Sequence, residues 1–312
     1  MIISSESYRR LASRVPATIQ AGRAQYLTSP KTVSEATAKP AAHIFVDEAA
    51  RAFDAAAPTG IIDLDLASKL GVRYPATTAN LLARYLVLRE GEEFELAIRA
   101  SCVMCYVIKG SGRSFWEGEV IEWNEGDAFL YPGGGEAILN EAPNGNAVLF
   151  VVTDEPFMSM MGGSAPSPET ARVKSAHYVA RTITAQLEDM AEKSEQPRTQ
   201  TVLQFGSTCF EDNGCVAPMI GAGIATLEAG TDQLPHCHDA DTISLCLECD
   251  GVYSLVEGSR TEWLPNVAIL TPAGAVHSQH AGGEGRMFSF FVQDRGPRAV
   301  RTWVPEKQES EA

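Results

Sequence analysis

An internal repeat runs through most of the sequence, and it limits the possible folds more than any other feature. Gly91 recurs as Gly230 at an offset of 139 residues, and Pro132 recurs as Pro272 at an offset of 140. Two further matches share the offset of 140: Glu117-Gly118 with Glu257-Gly258, and Glu122-Trp123 with Glu262-Trp263. A repeat that keeps its spacing over this distance predicts two domains of the same architecture.

Both copies are rich in segments typical of β-strands. Runs such as CVMCYVIKG at 102–110 and AVLFVVTDEP at 147–156 contain many β-branched and aromatic residues, and Gly- or Asn-rich turns separate them. Several short strands at this spacing are typical of a sandwich or a barrel. A chain of 312 residues is long enough for two such domains. We therefore predict an all-β protein made of two tandem barrels.

Changes in composition along the chain place the predicted domain boundaries. The predicted segments are an N-terminal helical or irregular arm at 1–78, a first barrel at 79–156, a linker with a helix at 157–200, a second barrel at 201–305 and a tail at 306–312. Within the arm, helical patterns cover 5–14 and 46–53, and prolines interrupt them. In the linker, apolar residues spaced for one face of a helix predict a helix over about 169–195.

Charge and composition argue against several classes of protein. The formal net charge is −15 at pH 7 and no basic stripe is present, so nucleic acid is not an expected partner. No apolar run has the length of a membrane-spanning helix, and the N-terminus lacks the pattern of a secretory signal. The seven cysteines do not form the paired CxxC sets of a zinc ribbon, which favours reduced thiols. We expect a soluble cytoplasmic protein without a membrane partner.

Four of the six histidines lie in one stretch of the second copy, between Gly230 and His280. His236 and His238 are one residue apart, so a strand would direct both imidazoles to the same face. His277 follows a Thr-Pro-Ala-Gly turn, after two further strand-like runs. Two histidines on one strand and a third on another can bring three neutral nitrogens to one metal inside a small barrel. We predict a metal site formed by these three residues.

The order of these motifs resembles that of the cupin superfamily. The chain has the pattern GxxxxxHxH from Gly230 to His238, then a glycine-punctuated hairpin, then PxGxxH from Pro272 to His277. The cupin glutamate ligand is expected four or five residues after the second histidine, where this chain has Thr242 and Ile243. A three-histidine site without that carboxylate is similar to the gentisate/salicylate 1,2-dioxygenase branch. The resemblance implies two tandem cupin barrels, each a double-stranded β-helix or jelly roll.

The resemblance also implies an activity and a cofactor. It predicts a non-haem Fe(II)-dependent dioxygenase that cleaves the ring of an ortho-hydroxylated aromatic carboxylic acid with O2, in the catabolism of aromatic compounds. Subtracting the repeat offsets from the three histidines gives Ala97, Arg99 and Ala137 in the first copy. We therefore expect one Fe(II) per chain, held in the second barrel, and a first barrel without metal. We also expect a homo-oligomer, either a dimer or a tetramer.

Departures from the family pattern predict the size and the charge of the pocket. The family has a Trp and a Gln before the metal strand and an Arg after the second histidine, whereas this chain has Gly221, Ala225 and Ser244. The third ligand lies in Val-His-Ser-Gln at 276–279 instead of a W-H-x-H context. We therefore expect a roomier and less positive pocket, in which Ser244, Ala225 and Gln279 contact the substrate.

Two further residues complete the predicted site. His280 is expected to act catalytically on bound substrate, since it can replace the second histidine of the family pattern. Arg286 is the candidate partner of the substrate carboxylate, with Arg260 and Arg181 as alternatives. A roomier pocket predicts that acids with a bulky or electron-withdrawing substituent, or with a fused second ring, are cleaved better than gentisate.

Two other functions are compatible with the same motifs. One is a metal-dependent isomerase or hydrolase, in which the metal acts as a Lewis acid and no oxygen is consumed. The other is a non-catalytic metal-binding or sensing bicupin, which a closed coordination sphere with a fourth ligand such as Cys237 or Gln279 would favour.

Overall fold

A computed structural model describes residues 9–10, 18–24, 27–28, 42–193, 200–210 and 215–295 of the chain. Its helices are α1 (Ile19–Arg23), α2 (Val46–Ala52), α3 (Ala67–Leu70), α4 (Glu155–Met161) and α5 (Ala180–Glu192). No helix of the described part is long and apolar enough to span a membrane.

Strands dominate the structure, as the sequence predicts. Up to the end of the first copy they are β1 (Arg9–Arg10), β2 (Leu27–Thr28), β3 (His43–Ile44), β4 (Gly60–Asp63), β5 (Leu82–Leu88), β6 (Glu93–Leu96), β7 (Cys102–Lys109), β8 (Ser111–Trp116), β9 (Glu119–Asn124), β10 (Ala128–Pro132), β11 (Ile138–Glu141) and β12 (Ala147–Thr153). The remaining strands are β13 (Ala176–Tyr178), β14 (Gln200–Gln204), β15 (Gly221–Leu227), β16 (Thr242–Glu248), β17 (Val252–Val256), β18 (Ser259–Glu262), β19 (Ala268–Thr271), β20 (His277–Ala281) and β21 (Met287–Gln293).

Each copy forms two antiparallel sheets that face each other. In the first copy, a six-stranded sheet has the order β13-β10-β7-β12-β5-β4, and a four-stranded sheet has the order β6-β11-β8-β9. In the second copy, the corresponding sheets are β14-β15-β21-β16-β19-β3 and β18-β17-β20. Isolated bridges from Asp232 to His280 and from His236 to His277 extend the smaller sheet by one irregular segment. The predicted all-β fold of two tandem cupin barrels is thus confirmed.

The repeat is visible in matching side-chain contacts. The indole Nε1 of Trp123 donates to Ser114 Oγ at 2.9 Å, and that of Trp263 donates to Ser254 Oγ at 2.6 Å. Glu117 and Glu257 occupy equivalent hairpin turns with positive φ values of 47° and 48°. In each turn the glutamate side chain accepts a hydrogen bond from a backbone N–H nineteen residues further along the chain. The two barrels therefore share their hairpin geometry as well as their topology.

The interiors of the two barrels differ in what fills them. The first is packed with apolar side chains, among them Trp116, Phe129 and Tyr131. At the repeat offset of 140, Phe129 and Tyr131 are replaced in the second barrel by the smaller Ile269 and Thr271. The second barrel thus has a smaller apolar cluster than the first, and a cavity remains at the end that carries the histidines. Arg99, which aligns with a metal ligand, is exposed and does not fill the first interior.

The two six-stranded sheets pack against each other through a shared apolar core that contains residues of both barrels. The ring of Phe290 on β21 stacks on Tyr106 of β7 at a centroid distance of 4.9 Å. The hydroxyl of Tyr85 donates to the carbonyl oxygen of Asn266 at 2.7 Å. Asn80 donates to Asp294, in the segment after β21, at 2.5 Å. The barrels therefore form one continuous core.

The arm and the linker contribute strands as well as helices. Strand β4 pairs with β5, and β3 pairs with β19 of the second barrel. Strand β13 of the linker extends the first large sheet, and β14, at the boundary between the linker and the second barrel, extends the second. The helix predicted over 46–53 is present as α2, whereas α5 covers only the second half of the helix predicted over 169–195.

One predicted helix of the arm lies almost wholly outside the described residues. The pattern over 5–14 has only Arg9–Arg10 in the described part, and these two residues form a strand paired with β2. Conversely, α4 begins immediately after β12, at the predicted boundary between the first barrel and the linker, and this helix was not predicted.

Candidate metal centre

Three histidines converge at one end of the second barrel. Their potential ligand atoms all lie within 4.8 Å of one another. The ring centroids are 4.3 Å apart for His236 and His277, 4.8 Å for His238 and His277, and 6.0 Å for His236 and His238. His277 is buried, His238 is half-buried and His236 is exposed. The arrangement forms a three-nitrogen cluster that is open to solvent on one side.

The backbone holds the two halves of the cluster together. His236 and His277 exchange both backbone hydrogen bonds, at 2.9 Å and 2.8 Å. The N–H of Gly274, which has a φ of +75°, donates to the carbonyl oxygen of His238 at 2.7 Å. The Pro-Ala-Gly turn is therefore bound directly to the irregular segment that carries the first histidine pair, which was predicted to be a strand but forms only an isolated bridge at His236. Glycine suits this turn because the left-handed backbone conformation is unfavourable for other residues.

Each histidine of the cluster uses one ring nitrogen to bond a backbone carbonyl. The Nδ1 atoms of His236, His238 and His277 lie 3.1, 2.8 and 2.9 Å from the oxygens of Leu234, Ala240 and Ala275. A carbonyl oxygen can only accept, so each Nδ1 carries the proton and each Nε2 keeps its lone pair. This second hydrogen bond fixes the tautomer and the ring orientation that metal-binding histidines require. The donor set therefore fits a metal ion.

Burial favours the neutral form of two of these imidazoles, His238 and His277. Burial lowers the pKa of His277 to about 4, although its bond to Ala275 opposes this shift. Burial also lowers the pKa of His238, and the charges of His236 and Arg295 act in the same direction. Since a metal binds the neutral ring, a lowered pKa keeps protons from competing for the site at neutral pH.

No carboxylate or thiolate of the described residues joins the three nitrogens. Thr242 occupies the position of the usual cupin glutamate, and its Oγ1 lies 3.4 Å from His238 Nε2. That hydroxyl also accepts a hydrogen bond from Gln293 Nε2 at 2.9 Å. Cys237, between the two histidines in sequence, is exposed and does not join the cluster. Three imidazoles without a carboxylate leave the full charge of a divalent metal available to a ligand and suit iron, zinc or copper.

A cavity of about 190 Å³ leads from the three histidines into the barrel. Its walls are mostly polar and include Ser289 and Thr271, while the apolar residues that line it are Val202, Ala225, Trp263, Met287 and Phe291. Five glutamines line it: Gln200, Gln204, Gln233, Gln279 and Gln293. The predicted substrate contacts Ser244, Ala225 and Gln279 all line this cavity.

Gln279 is the most informative of these contacts. Its side-chain oxygen is buried and has no hydrogen-bond partner among the described residues. A buried acceptor without a partner costs free energy, on the order of 1–3 kcal/mol. A ligand or water in the cavity that donates a hydrogen bond would remove this cost, so the site suits a polar guest.

The structure does not bring His280 into the cavity. His277 to Ala281 form strand β20, so side chains alternate, and His280 lies on the face opposite His277 and Gln279. Its Nδ1 is 2.7 Å from Asp232 Oδ1, and its Nε2 is 2.8 Å from Ser278 Oγ. The expectation of a turn that faces the barrel mouth was wrong, and this placement does not support a catalytic role.

Arg286 also lies outside the cavity. Its guanidinium forms two hydrogen bonds with the carboxylate of Glu248, at 2.9 and 3.0 Å. Arg260 lies over the ring of Tyr253 and pairs with Glu262, while Arg181 is exposed on α5. None of the three arginines proposed from sequence lines the cavity. A carboxylate partner on the protein surface already neutralises Arg286.

Sequence reasoning missed Arg295, which does line the cavity. The signal was the alternation along β21, because Met287, Ser289, Phe291 and Gln293 all face the cavity and Arg295 follows at the same period. The expectation of a less positive pocket is corrected by this residue. Arg295 supplies the positive charge that Ser244 lacks.

Comparison with solved structures supports the fold described above. The salicylate 1,2-dioxygenase from Pseudaminobacter salicylatoxidans matches with a TM-score of 0.65 and 16% identity over 83% of this chain and 85% of that chain. A variant of that enzyme in complex with gentisate matches with a TM-score of 0.66 and 15% identity over 84% of each chain. No family profile and no curated protein sequence matches the chain. The chain therefore has the two-barrel cupin fold, which it shares with these dioxygenases.

Proposed function

We propose that the protein is a non-haem Fe(II)-dependent dioxygenase that opens the ring of an ortho-hydroxylated aromatic carboxylic acid. The observation that carries the proposal is the cluster of three histidines, with every Nδ1 bonded to a carbonyl and no carboxylate among the described residues nearby. Three neutral ligands leave coordination positions and charge for a chelating anion. The fold shared with salicylate 1,2-dioxygenase adds support.

Three residues are proposed to hold the ion: His236, His238 and His277. An Fe(II) ion bound there would supply the redox chemistry by which dioxygen reacts with an aromatic ring, with both oxygen atoms entering the ring-opened product. The carbonyl oxygens of Leu234, Ala240 and Ala275 hold the imidazoles in the required orientation.

The remaining cavity residues are proposed to orient the substrate. Phe291 and Met287 offer apolar surface to a ring, and Ser244 and Ala225 leave room beside it. Gln279 Oε1 accepts a hydrogen bond from a donor on the ligand or from water. The space expected at Gly221 is not free, because the Arg295 side chain lies across that glycine. We therefore attribute the extra room to positions 225 and 244 alone.

A Lewis-acid isomerase or hydrolase is the second candidate, and the polar lining of the cavity favours it. Five glutamines around one metal site suit a ligand with many hydroxyl or carbonyl groups. Such a reaction consumes no oxygen and tolerates Zn(II).

Oxygen uptake separates the two candidates. Fe(II)-loaded protein should consume O2 with at least one member of a panel of salicylate, gentisate, hydroxynaphthoate and ring-substituted salicylates. Zn(II)-loaded protein is the matched control and should consume none. Ring-substituted or fused acids are expected to exceed gentisate in kcat/KM. No uptake with any of these acids would contradict the dioxygenase and favour the second candidate.

A further inference from the structure

Arg295 is a cation that lines the cavity, and no acidic side chain of the described residues pairs with it. No carboxylate of the described residues lies within ion-pairing distance of its guanidinium. By contrast, Arg84, Arg113, Arg260 and Arg286 each pair with an aspartate or a glutamate. An arginine directed into a concave site without a carboxylate partner keeps its charge and its planar set of donors available for a ligand.

The backbone around Arg295 is anchored on both sides of the barrel end. The preceding residue, Asp294, is buried and accepts hydrogen bonds from the N–H of Asp241 at 2.7 Å and from Asn80 at 2.5 Å. The same segment of chain therefore connects to the turn that follows the histidine pair. A fixed backbone limits the positions that the guanidinium can reach, which is a requirement for a selective contact.

Gly221 provides the space in which the Arg295 side chain lies. A Cβ atom at position 221 would be 2.7 Å from Arg295 Cδ and 3.2 Å from its Cγ. Any other residue there would force the arginine side chain to move. Gly221 has an ordinary negative φ, so backbone conformation does not explain its presence. The close approach of Arg295 is the physical reason for a glycine at this position.

Arg295 also lines the same cavity as the three histidines. Gln293, one inward position earlier, donates to Thr242 Oγ1, which is 3.4 Å from His238 Nε2. Residues two apart in an extended chain are separated by about 6.5–7 Å, which the long arginine side chain can span. The guanidinium can therefore reach an anionic group on a ligand beside the histidines.

We propose that Arg295 is the anion-binding residue of this cavity and determines its selectivity for acids over neutral analogues, with Gly221 as the position that makes room for it. The inference rests on the proposed function only in taking the cavity as the substrate site. It assigns to one arginine the role that sequence reasoning gave to Arg286.

Anaerobic binding titrations of the Fe(II)-loaded protein test this assignment without turnover. The probes are salicylate and gentisate, each paired with its neutral amide. Arg295→Gln should weaken binding of the acids by about tenfold or more, the size of a lost charge-assisted contact, and binding of the amides much less. Arg295→Lys should recover part of the loss, since a point charge replaces a bidentate group.

Two further variants control for unrelated damage. Gly221→Ala keeps the charge but displaces the side chain, and it should also weaken binding of the acids more than of the amides. Arg286→Gln removes a surface arginine that pairs with Glu248, and it should change neither the binding of the acids nor the binding of the amides. Metal content and thermal unfolding are measured for every variant.

Equal losses for acid and amide in Arg295→Gln would overturn the inference. A wild-type protein that binds neither acid more tightly than its amide would overturn it as well. Acid-selective binding that depends on Arg295, without oxygen uptake, would leave the inference standing and contradict the dioxygenase. Oxygen uptake by the wild-type protein, together with unchanged binding of the acids in Arg295→Gln, would support the dioxygenase and overturn the inference about Arg295.

Discussion

At the level of single residues, the site depends on how each imidazole is held before any ligand arrives. Three backbone carbonyls accept from the Nδ1 atoms, so no acidic side chain is used to orient the rings. A neutral acceptor raises ligand basicity less than a carboxylate would, and it adds no negative charge beside the metal. With Thr242 in place of a glutamate, the charge of a bound cation stays available for an anionic substrate.

His280 tests the difference between a catalytic and a structural residue. Its ring bonds Asp232 and Ser278 and stacks on Tyr253 at 4.7 Å, outside the cavity. His280→Ala should lower the free energy of unfolding by about 1–3 kcal/mol, because it removes two hydrogen bonds and an aromatic contact. Chemical denaturation measures this loss. Metal content and turnover per bound metal should stay near those of the wild type, and a selective loss of turnover would restore the catalytic role.

Sequence spacing predicted the three histidines but not the residues around them. The HxH spacing and the proline- and glycine-marked turn before His277 predicted the three residues correctly, although the strand expected at His236 and His238 is an irregular segment with one isolated bridge. His280 was misplaced because the Val-His-Ser-Gln-His run was interpreted as a turn instead of strand β20. Arg295 was missed because it lies two residues beyond the end of β21, although it continues the inward alternation of that strand.

At the level of elements, strand β14 closes one side of the cavity. It pairs with β15 over five residues, and three of its side chains, Gln200, Val202 and Gln204, line the cavity. Gln233 donates to Gln200 across the opening at 2.5 Å. A strand at the predicted boundary between the linker and the second barrel therefore builds part of the candidate site.

Gly223 on β15 allows β14 to approach. A Cβ atom there would lie 2.3 Å from the carbonyl oxygen of Leu203 and 3.0 Å from Phe291 Cζ. Gly223→Ala should therefore destabilise the fold by roughly 1–3 kcal/mol, as other overpacked sites do, and should loosen β14. Hydrogen exchange of the β14 amides and chemical denaturation measure both effects.

Gly206, just beyond β14, is the matched control for this prediction. A Cβ atom at this position meets nothing within 4 Å, so Gly206→Ala should change stability by less than about 0.5 kcal/mol. Similar effects of the two substitutions would contradict the close-approach explanation.

The short strands of the arm and linker could not be predicted from the sequence. Strand β3 has two residues and β13 has three, which is too short for an alternation pattern to be recognised. Each forms only because a long strand of a barrel offers an unpaired edge. The helix pattern over 46–53 was predicted correctly because it is long enough to show a face.

At the level of the whole molecule, two copies of one fold have diverged through what fills their interiors. Apolar packing stabilises the first barrel, while the second gives up part of that packing to hold a polar cavity. The internal repeat made the duplication visible in the sequence. The packing of one barrel on the other could not be predicted, because it depends on residues such as Phe290 that look like ordinary strand residues.

Phe290 should be a main contributor to the stability of the two-barrel unit. It is fully buried and stacks on Tyr106 of the other barrel, whereas Phe288, two residues earlier on the same face of β21, is only half-buried. Phe290→Ala should cost about 3–5 kcal/mol, the usual range for a large core aromatic. Phe288→Ala is the matched control and should cost clearly less. Thermal and chemical unfolding compare the two, and equal costs would show that the barrels do not depend on this contact.

Metal stoichiometry tests the central claim, that one barrel holds a metal and the other does not. Fe(II)-loaded wild-type protein should contain close to one iron per chain by elemental analysis. His277→Ala should contain almost none, with an unfolding temperature close to that of metal-free wild type, because apolar packing and not the ion stabilises the barrels. Two irons per chain, or iron retained in His277→Ala, would contradict the account.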